Sequence, residues 1–538
     1  RRFFLFNPPV VNAELGIRAS YVKQAVMLAA DLVLAGVPTI VFGQSRNSVE
    51  VMLRYLRERV EKHIDGSRIM AYRGGYLPEQ RRDIERRLRA GEILCVIATN
   101  ALELGIDIGD LDAVICAGYP GSAAAMWQRF GRGGRRGKTS LCVLVATSAP
   151  MDQYLAREPR YLLGSPVEEA RIDPDNVEIL VQHIKCAAFE LPFRRGEGFG
   201  ALPAEDTEAA LSFLVHHRVL HEAGGTFHWA ADTYPANNVS LRSVGWDNVV
   251  IIDVDKDKSI AEMDFRGAHT MLHEQAIYQH DSECWQVERF DYENHKAFVR
   301  KVAPDYYTDA MTYVQVSVLE KSAEGPLLEG RGAASHGGGF VAGWGEVAVV
   351  EKVVGYKKIK FFTHENAGYG EVRLPEMQMH TTGFWLTVPE ELCAALPAGR
   401  AAAIDALRGI GIALETVATL ALMTDPRDLG TTLGDTAKDD EGDEVPLRMR
   451  GGPRPGYSPT LFLYEHVPGG TGLTQRIFEQ RDVLLARTLR LLETCPCEGG
   501  CPACVGPADG TSTTLPDGTR ATRKSVGLEI LRAAVPTA

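Results

Sequence analysis

What the chain lacks narrows its class before any motif is read. Its apolar runs are short and broken by glycine or charge, so none reaches the roughly 20 consecutive apolar residues of a membrane-spanning helix. No membrane partner is expected. The opening residues RRFFLFNPPV carry charge but neither a long apolar stretch nor a cleavage site, so they do not read as a secretory leader. Basic residues do not outnumber acidic ones: 58 against 70 give a net charge of −12. That argues against a surface sticky to nucleic acid everywhere, although not against a local basic patch. Cysteine is too sparse for a disulfide framework, at ten in 538 residues. Six of the ten (Cys95, Cys116, Cys142, Cys186, Cys284, Cys393) are scattered, mostly inside apolar runs, where buried free thiols and a reducing, cytoplasmic setting are expected. There is no starting Met, and Arg1 leads almost at once into strand-like sequence, so the chain is expected to be a piece of something longer.

What remains is ordinary globular composition, 45% apolar and 24% charged, in a length that predicts about three to five domains. Four blocks follow. Residues 1–165 alternate continuous apolar strands (38–43, 68–71, 93–99, 112–118, 140–147) with helices over 45–60 and 78–90. Strands apolar throughout and separated by helices predict an α/β doubly wound parallel sheet, with function at the strand carboxyl ends. Residues 166–240 predict helices at 174–190 and 205–217 and a hairpin turning at Gly224-Gly225, which together suggest a winged helix. Residues 241–365 are strand-rich and predict an antiparallel β domain. Residues 366–538, which carry the four remaining cysteines near their end, predict a mixed α+β domain with helices over 399–423 and 470–493. Between them, an acidic Gly- and Pro-rich stretch at 434–457 is expected to be a mobile surface loop.

The first block holds three motifs in order. AYRGGYLPEQRRDIERRLRAGE (71–92) sets Arg73 and two glycines before a basic helix, and residues 54–89 hold eleven basic residues against six acidic. TNALELGIDIGDLDAVI (99–115) runs from a Thr-Asn turn through an acidic and glycine element into a buried strand. QRFGRGGRRG, from Gln128, places Arg129, Arg132, Arg135 and Arg136 around glycines, and residues 126–138 contain five basic residues and no acidic one. Concentrated guanidinium beside glycine suits a site where fixed donors meet phosphate oxygens.

These elements resemble motifs IV/IVa, V and VI of the second RecA-like domain of superfamily II helicases. The resemblance implies that Arg132 and Arg135 are arginine fingers in motif VI, which Gln128 begins. It implies that Gly105 and Asp107 face nucleotide, and that Thr99 touches the nucleic-acid backbone. Ser45, Arg46 and Arg73 are expected to extend that DNA track. Gln rather than His at the start of motif VI tilts the substrate toward DNA. ATP and Mg²⁺ are the implied cofactors, and single-stranded DNA and the first RecA-like domain of the same protein the implied partners. No G-x-x-x-x-G-K-[ST] occurs here, since Gly137-Lys138-Thr139 has Arg132 where the first glycine would stand and enters a strand. The phosphate loop is therefore expected on that other domain. GIGIAL (409–414) and PGGTG (468–472) read as a helix interior and a helix N-terminus rather than phosphate cradles.

The remaining four cysteines, Cys495, Cys497, Cys501 and Cys504, follow C-x-C-x3-C-x2-C spacing. Four thiolates so close can surround one structural Zn²⁺, and an iron–sulfur cluster is the competing use of such a set. A motor half followed by a β-rich region and this cluster resembles the MrfA/YprA-like, mycobacterial SftH and fungal Hrq helicases. LFLYEHVPGGTGLTQRIFE (461–479) also resembles the zinc-binding domain of that family. The implied function is a DNA-dependent ATPase that moves 3′→5′ on single-stranded DNA and serves DNA repair, with this chain unable to hydrolyse ATP alone. An RNA-remodelling ATPase and a zinc-dependent binding module without motor activity are the alternatives.

Overall fold

The structure, a computed structural model, describes the chain except residues 14, 104–110, 135–138, 165, 169–175, 240–247, 328–338, 435, 439–443, 447–457, 507–512, 516–517 and 536–538. The motor block contains β1 (Arg2–Phe6), β2 (Val10–Asn12), β3 (Ile17–Arg18), α1 (Tyr21–Leu34), β4 (Thr39–Phe42), α2 (Arg46–Val60), β5 (Ile69–Tyr72) and α3 (Pro78–Arg89). It continues with β6 (Cys95–Ala98), β7 (Ala113–Ala117), α4 (Ala123–Phe130), β8 (Leu141–Val145), α5 (Pro150–Arg157) and α6 (Pro159–Gly164). Six strands run in the order β1-β8-β7-β4-β6-β5, every pair parallel. Every residue of β4, β6 and β7 is buried, as expected for a parallel sheet covered on both faces. β2 and β3 stand apart as a small hairpin.

Next come α7 (Val177–Glu190), β9 (Phe193–Arg194), α8 (Ala204–His216), β10 (Leu220–Ala223) and β11 (Thr226–Trp229), the winged helix. Gly224 and Gly225 take φ of 57° and 75°, the paired positive values that a two-residue type I′ hairpin turn demands. Ile184, Leu211, Leu214 and Phe227 close its small core.

The strand-rich region divides in two. β12 (Asn248–Asp253), β13 (Lys258–Asp264), α9 (Phe265–Met271), β14 (Ile277–His280), β15 (Glu283–Asp291) and β16 (Lys296–Val302) form a five-stranded sheet, β13-β12-β16-β15-β14. Its β12–β16 pair is parallel, so this unit is not purely antiparallel as expected. β17 (Tyr306–Pro326) and β18 (Val341–Lys360), with β19 (Asn366–Glu371) beside β18, belong to a different sheet. There β18 pairs with β20 (Met377–Thr387) from Val341↔Thr387 to Glu351↔Met377. The boundary expected at 365 therefore cuts a continuous sheet, and the break falls instead between β16 and β17. After β20 come α10 (Glu390–Ala395), α11 (Gly399–Leu422), β21 (Leu429–Gly434), β22 (Thr436–Lys438), β23 (Glu444–Pro446), β24 (Thr460–Glu465), α12 (Leu473–Glu479), α13 (Arg481–Thr494) and α14 (Arg523–Ala534). The strand path β17-β18-β20-β24-β21 curls until Thr432 Oγ1 of β21 donates to the Val314 carbonyl of β17 at 3.3 Å. Val316, Val347, Val349, Trp385, Phe462 and Tyr464 fill its inner face. Most of the stretch expected as a surface loop, 434–457, lies outside the described residues, and within it β22 pairs antiparallel with β23.

Candidate functional site

The carboxyl ends of β4, β6 and β7 share one edge of the motor sheet, since Phe42 lies opposite both Ala98 and Cys116. Past β4, exposed Ser45 caps α2: its Oγ accepts from Ser48 N at 3.1 Å, and Ser45 N donates to Ser48 Oγ at 3.0 Å. Arg46, the next residue, pairs with Asp264 of the five-stranded domain at 2.7 Å. Past β6, Thr99 turns the chain by accepting from Ala101 N at 3.5 Å. The structure thus brings Ser45 and Thr99 to one edge.

Arg73 is the exception. It follows β5 at the same edge, but its side chain turns inward and is 0% exposed. Nε pairs with Glu50 Oε1 at 2.8 Å, and Nη2 donates to Tyr278 Oη at 3.0 Å and to the Gln279 carbonyl at 2.9 Å. Burial opposes the charge, and Tyr278 and Glu50 outweigh it to leave the guanidinium's pKa raised. A cation so enclosed cannot reach a phosphate, so the expectation that Arg73 touches DNA is corrected: it bolts the motor sheet to β14. Tyr76 Oη also donates to Glu50 at 2.9 Å, and Arg57 reaches the Asp281 carbonyl and Ser282 Oγ. His280, packed against Tyr76, has its pKa lowered to about 4 by burial, with the Arg73 charge adding to the shift.

The arginines gather around Glu103, just past Thr99. Arg129, on α4, pairs with Glu103 Oε2 at 2.9 Å and lies over the Phe42 ring, 5.1 Å from its centroid. Arg132, 7% exposed, brings Nε and Nη2 to the Glu103 carbonyl at 3.2 and 2.7 Å. Motif V therefore holds motif VI through one residue, using its carboxylate for one arginine and its backbone for another. Gln128 stands exposed on α4 beside them. Arg135, Gly105 and Asp107 lie outside the described residues. Sequence reasoning passed over Glu103 and the role of Arg129; an acidic residue four positions past Thr99 was the available signal.

The four cysteines converge at the end of α13. Their sulfurs lie within 4.8 Å of one another, with spacings of 3.6 Å (Cys495 to Cys497 and to Cys501), 3.5 Å (Cys497 to Cys504) and 3.7 Å (Cys501 to Cys504). A tetrahedron with metal–sulfur bonds of about 2.3 Å has sulfur–sulfur edges of about 3.8 Å, so the set fits one zinc with no position open for chemistry. Gly500, at φ +119°, permits the turn, and a Cβ there would stand 2.7 Å from Val505 Cγ2. Lys524, 7% exposed, donates from Nζ to the Cys495 carbonyl at 2.8 Å and the Cys497 carbonyl at 2.6 Å. Its ammonium sets a positive charge against the net −2 of a zinc tetrathiolate. The β2–β3 hairpin packs on the knuckle, because a Cβ on Gly16 would stand 2.7 Å from Cys501 Cβ.

The PGGTG run is a helix N-terminus. Buried Glu465 accepts from Thr471 N at 2.5 Å, Leu473 N at 2.9 Å and Thr474 N at 3.1 Å, so the chain's own carboxylate takes the place an anion would occupy. Asn176 Nδ2, at the start of α7, donates to the Pro468 carbonyl at 2.8 Å and ties the winged helix to this turn.

A parallel RecA-like sheet whose motif V holds motif VI, joined to a winged helix and a tetrathiolate zinc fold, defines the C-terminal architecture of a superfamily II helicase. Residues 23–137 match the model of the helicase conserved C-terminal domain, 172–244 that of the winged helix domain of ATP-dependent helicase HRQ1, and 410–505 that of the MrfA Zn-binding domain. The uncharacterized ATP-dependent helicase YprA of Bacillus subtilis is 41% identical over 512 residues, covering 94% of this chain and 64% of that protein. ATP-dependent helicase HRQ1 of Saccharomyces cerevisiae is 28% identical over 531 residues, covering 94% and 46%. The crystal structure of the DUF1998 helicase MrfA bound to DNA is 39% identical with a TM-score of 0.69, covering 99% of this chain and 66% of that one. The chain belongs to the MrfA/YprA-like family of superfamily II helicases. It spans 64% of the length of YprA and 46% of that of HRQ1.

Among the described residues, no helix is long and apolar enough to cross a membrane.

Proposed function

We propose that this chain is the C-terminal part of an ATP-dependent DNA helicase that translocates 3′→5′ on single-stranded DNA and serves DNA repair in the cytoplasm. The observation that carries the reading is Glu103 gathering Arg129 and Arg132 beside Thr99, at the sheet edge where a RecA-like fold meets its ligands. Relatives named as ATP-dependent helicases, and structures of MrfA bound to DNA and to DNA with AMPPNP, support it. In this reading ATP and Mg²⁺ are held by the first RecA-like domain of the same protein. Arg132 and Arg135 neutralise charge developing on the transferred phosphoryl group, Gly105, Asp107 and Gln128 line that nucleotide face, and Thr99, Ser45 and Arg46 follow the DNA backbone. Arginine fingers of this kind contribute about 10³–10⁵ in rate. DNA binding stimulates turnover by closing the two domains and bringing the guanidiniums into range.

The test is ATP hydrolysis by the full-length protein with single-stranded DNA or RNA added, beside the 538-residue chain alone. We expect stimulation by DNA and no turnover by the chain alone. Stimulation by RNA only would replace DNA with RNA as the track, and robust ATPase by the chain alone would overturn the half-motor reading.

A further inference from the structure

The helix that presents the motif VI residues is gripped at its N-terminus from outside the motor sheet. The first three residues of α4, Ala123 to Ala125, have N–H groups with no partner within the helix, as at every helix start. Ser122 Oγ accepts from Ala125 N at 3.1 Å. The other two go to one distant carboxylate: Ala123 N donates to Glu168 Oε1 at 2.6 Å, and Ala124 N to Glu168 Oε2 at 2.9 Å. A carboxylate in this place also gains from the positive end of the helix dipole. Glu168 is not part of the motor sheet. It lies between α6 and α7, on the connection from the motor block to the winged helix.

The turn before α4 is gripped as well. Gly121 takes φ +106°, and a Cβ there would stand 2.8 Å from Asp425 Oδ1 of the C-terminal domain. Arg427 Nη2, paired with Asp425 at 2.5 Å, donates to the Pro120 carbonyl at 3.4 Å. The Arg427 pKa is raised, first by its bond to Asp425 and in smaller part by Glu103, the residue that holds Arg129 and Arg132. The N-terminus of α4 and the turn before it are therefore both held by segments that follow the parallel sheet, whereas its arginine end is held by Glu103.

We propose that Glu168 is a positioning residue for nucleotide hydrolysis: by fastening the N-terminus of α4 to the winged-helix connection, it sets where the arginines at the far end of that helix stand. α4 has eight residues and spans about 12 Å. A helix that short has little stability of its own, so its end contacts fix its direction. Tilting it by an ångström at the arginine end is enough to cost about 10²-fold in rate. The inference rests on the reading of Arg132 as acting on nucleotide.

The test uses full-length protein carrying Glu168→Ala, Glu168→Gln or Arg132→Ala, with DNA-stimulated ATPase, single-stranded DNA affinity and thermal melting measured for each. For Glu168→Ala we expect kcat to fall about tenfold or more, with KM for ATP and DNA affinity within about twofold of the parent. Glu168→Gln, which keeps one acceptor oxygen, recovers part of that loss. Unchanged kcat in Glu168→Ala while Arg132→Ala abolishes turnover overturns the inference and leaves the functional reading standing. Normal turnover in both variants shows that the functional reading itself has failed. A fall in kcat matched by equal losses of DNA affinity and folded protein also overturns the inference, since that is what a merely structural contact would give.

Discussion

All four sulfurs of the zinc knuckle come from ten consecutive residues, whereas the polar edge of the motor sheet draws Ser45, Thr99, Glu103, Arg129 and Arg132 from two strand ends and the end of a helix. The knuckle needs only a turn that tolerates Gly500 and a metal to close it. The motor edge needs the whole sheet in register before any of its groups meet. Local sites survive damage elsewhere in the fold; assembled sites inherit every error in it. The second kind is held in place by buried pairs such as Arg73 with Glu50, and the first by bonds to its own loop such as those from Lys524.

Removing one ligand should have the largest effect. The purified chain should carry close to one zinc, and Cys501→Ser should lose metal and melt early, because a structural site of this kind contributes on the order of 10 kcal/mol or more to folding. Elemental analysis with thermal melting checks this; iron with visible absorbance, or a well-folded protein without metal, would contradict it. Arg73→Ala comes next. Leaving Glu50 buried and unpaired should cost about 3–5 kcal/mol in urea unfolding, with little change in DNA affinity. A large loss of affinity with unchanged stability would return Arg73 to the DNA track. Near it, His280 is held neutral in the fold with a pKa lowered to about 4 against 6.5 when unfolded. The unfolded chain therefore binds the extra proton as pH falls from about 6.5 to 4, and stability declines over that window. His280→Phe should flatten this part of the stability curve.

Lys524→Met should act only on the knuckle. Losing a charged donor to two loop carbonyls is worth about 1.5–3 kcal/mol, so zinc release to a chelator should speed up by about tenfold or more while DNA-stimulated ATPase persists in the loaded protein. The smallest effect is expected from Arg46→Ala. Its pair with Asp264 is half-exposed and worth about 0–1 kcal/mol of stability. Its value to DNA binding should appear instead as a shallower dependence of affinity on salt.

The same contrast decides what the sequence made legible. Periodicity located α2, α3 and the inner strands of the motor sheet to within a residue or two, because their burial follows from local pattern. Spacing alone located the knuckle. The expected boundary at 365 failed because alternation marks β18 and β20 as strands but says nothing about which strand pairs with which. Arg73 was misplaced for a related reason. Its partners Glu50 and Tyr278 lie 23 residues before it and 205 after it, so no window around YRGG reveals that the guanidinium is enclosed. Glu103 was missed because a lone acidic residue in a turn acquires its role only when α4 folds back over it. PGGTG was read as a helix start, and the anion that such a start attracts turned out to be Glu465, three residues upstream of Pro468.

In the proposed function Arg132, held at the Glu103 carbonyl, acts on nucleotide. The most direct measurement of that role is the single-turnover and steady-state ATPase of full-length Arg132→Ala with saturating single-stranded DNA. A loss of about 10³-fold or more in kcat, with DNA affinity within about twofold of the parent, is the expected result. Near-normal turnover in that variant would contradict it.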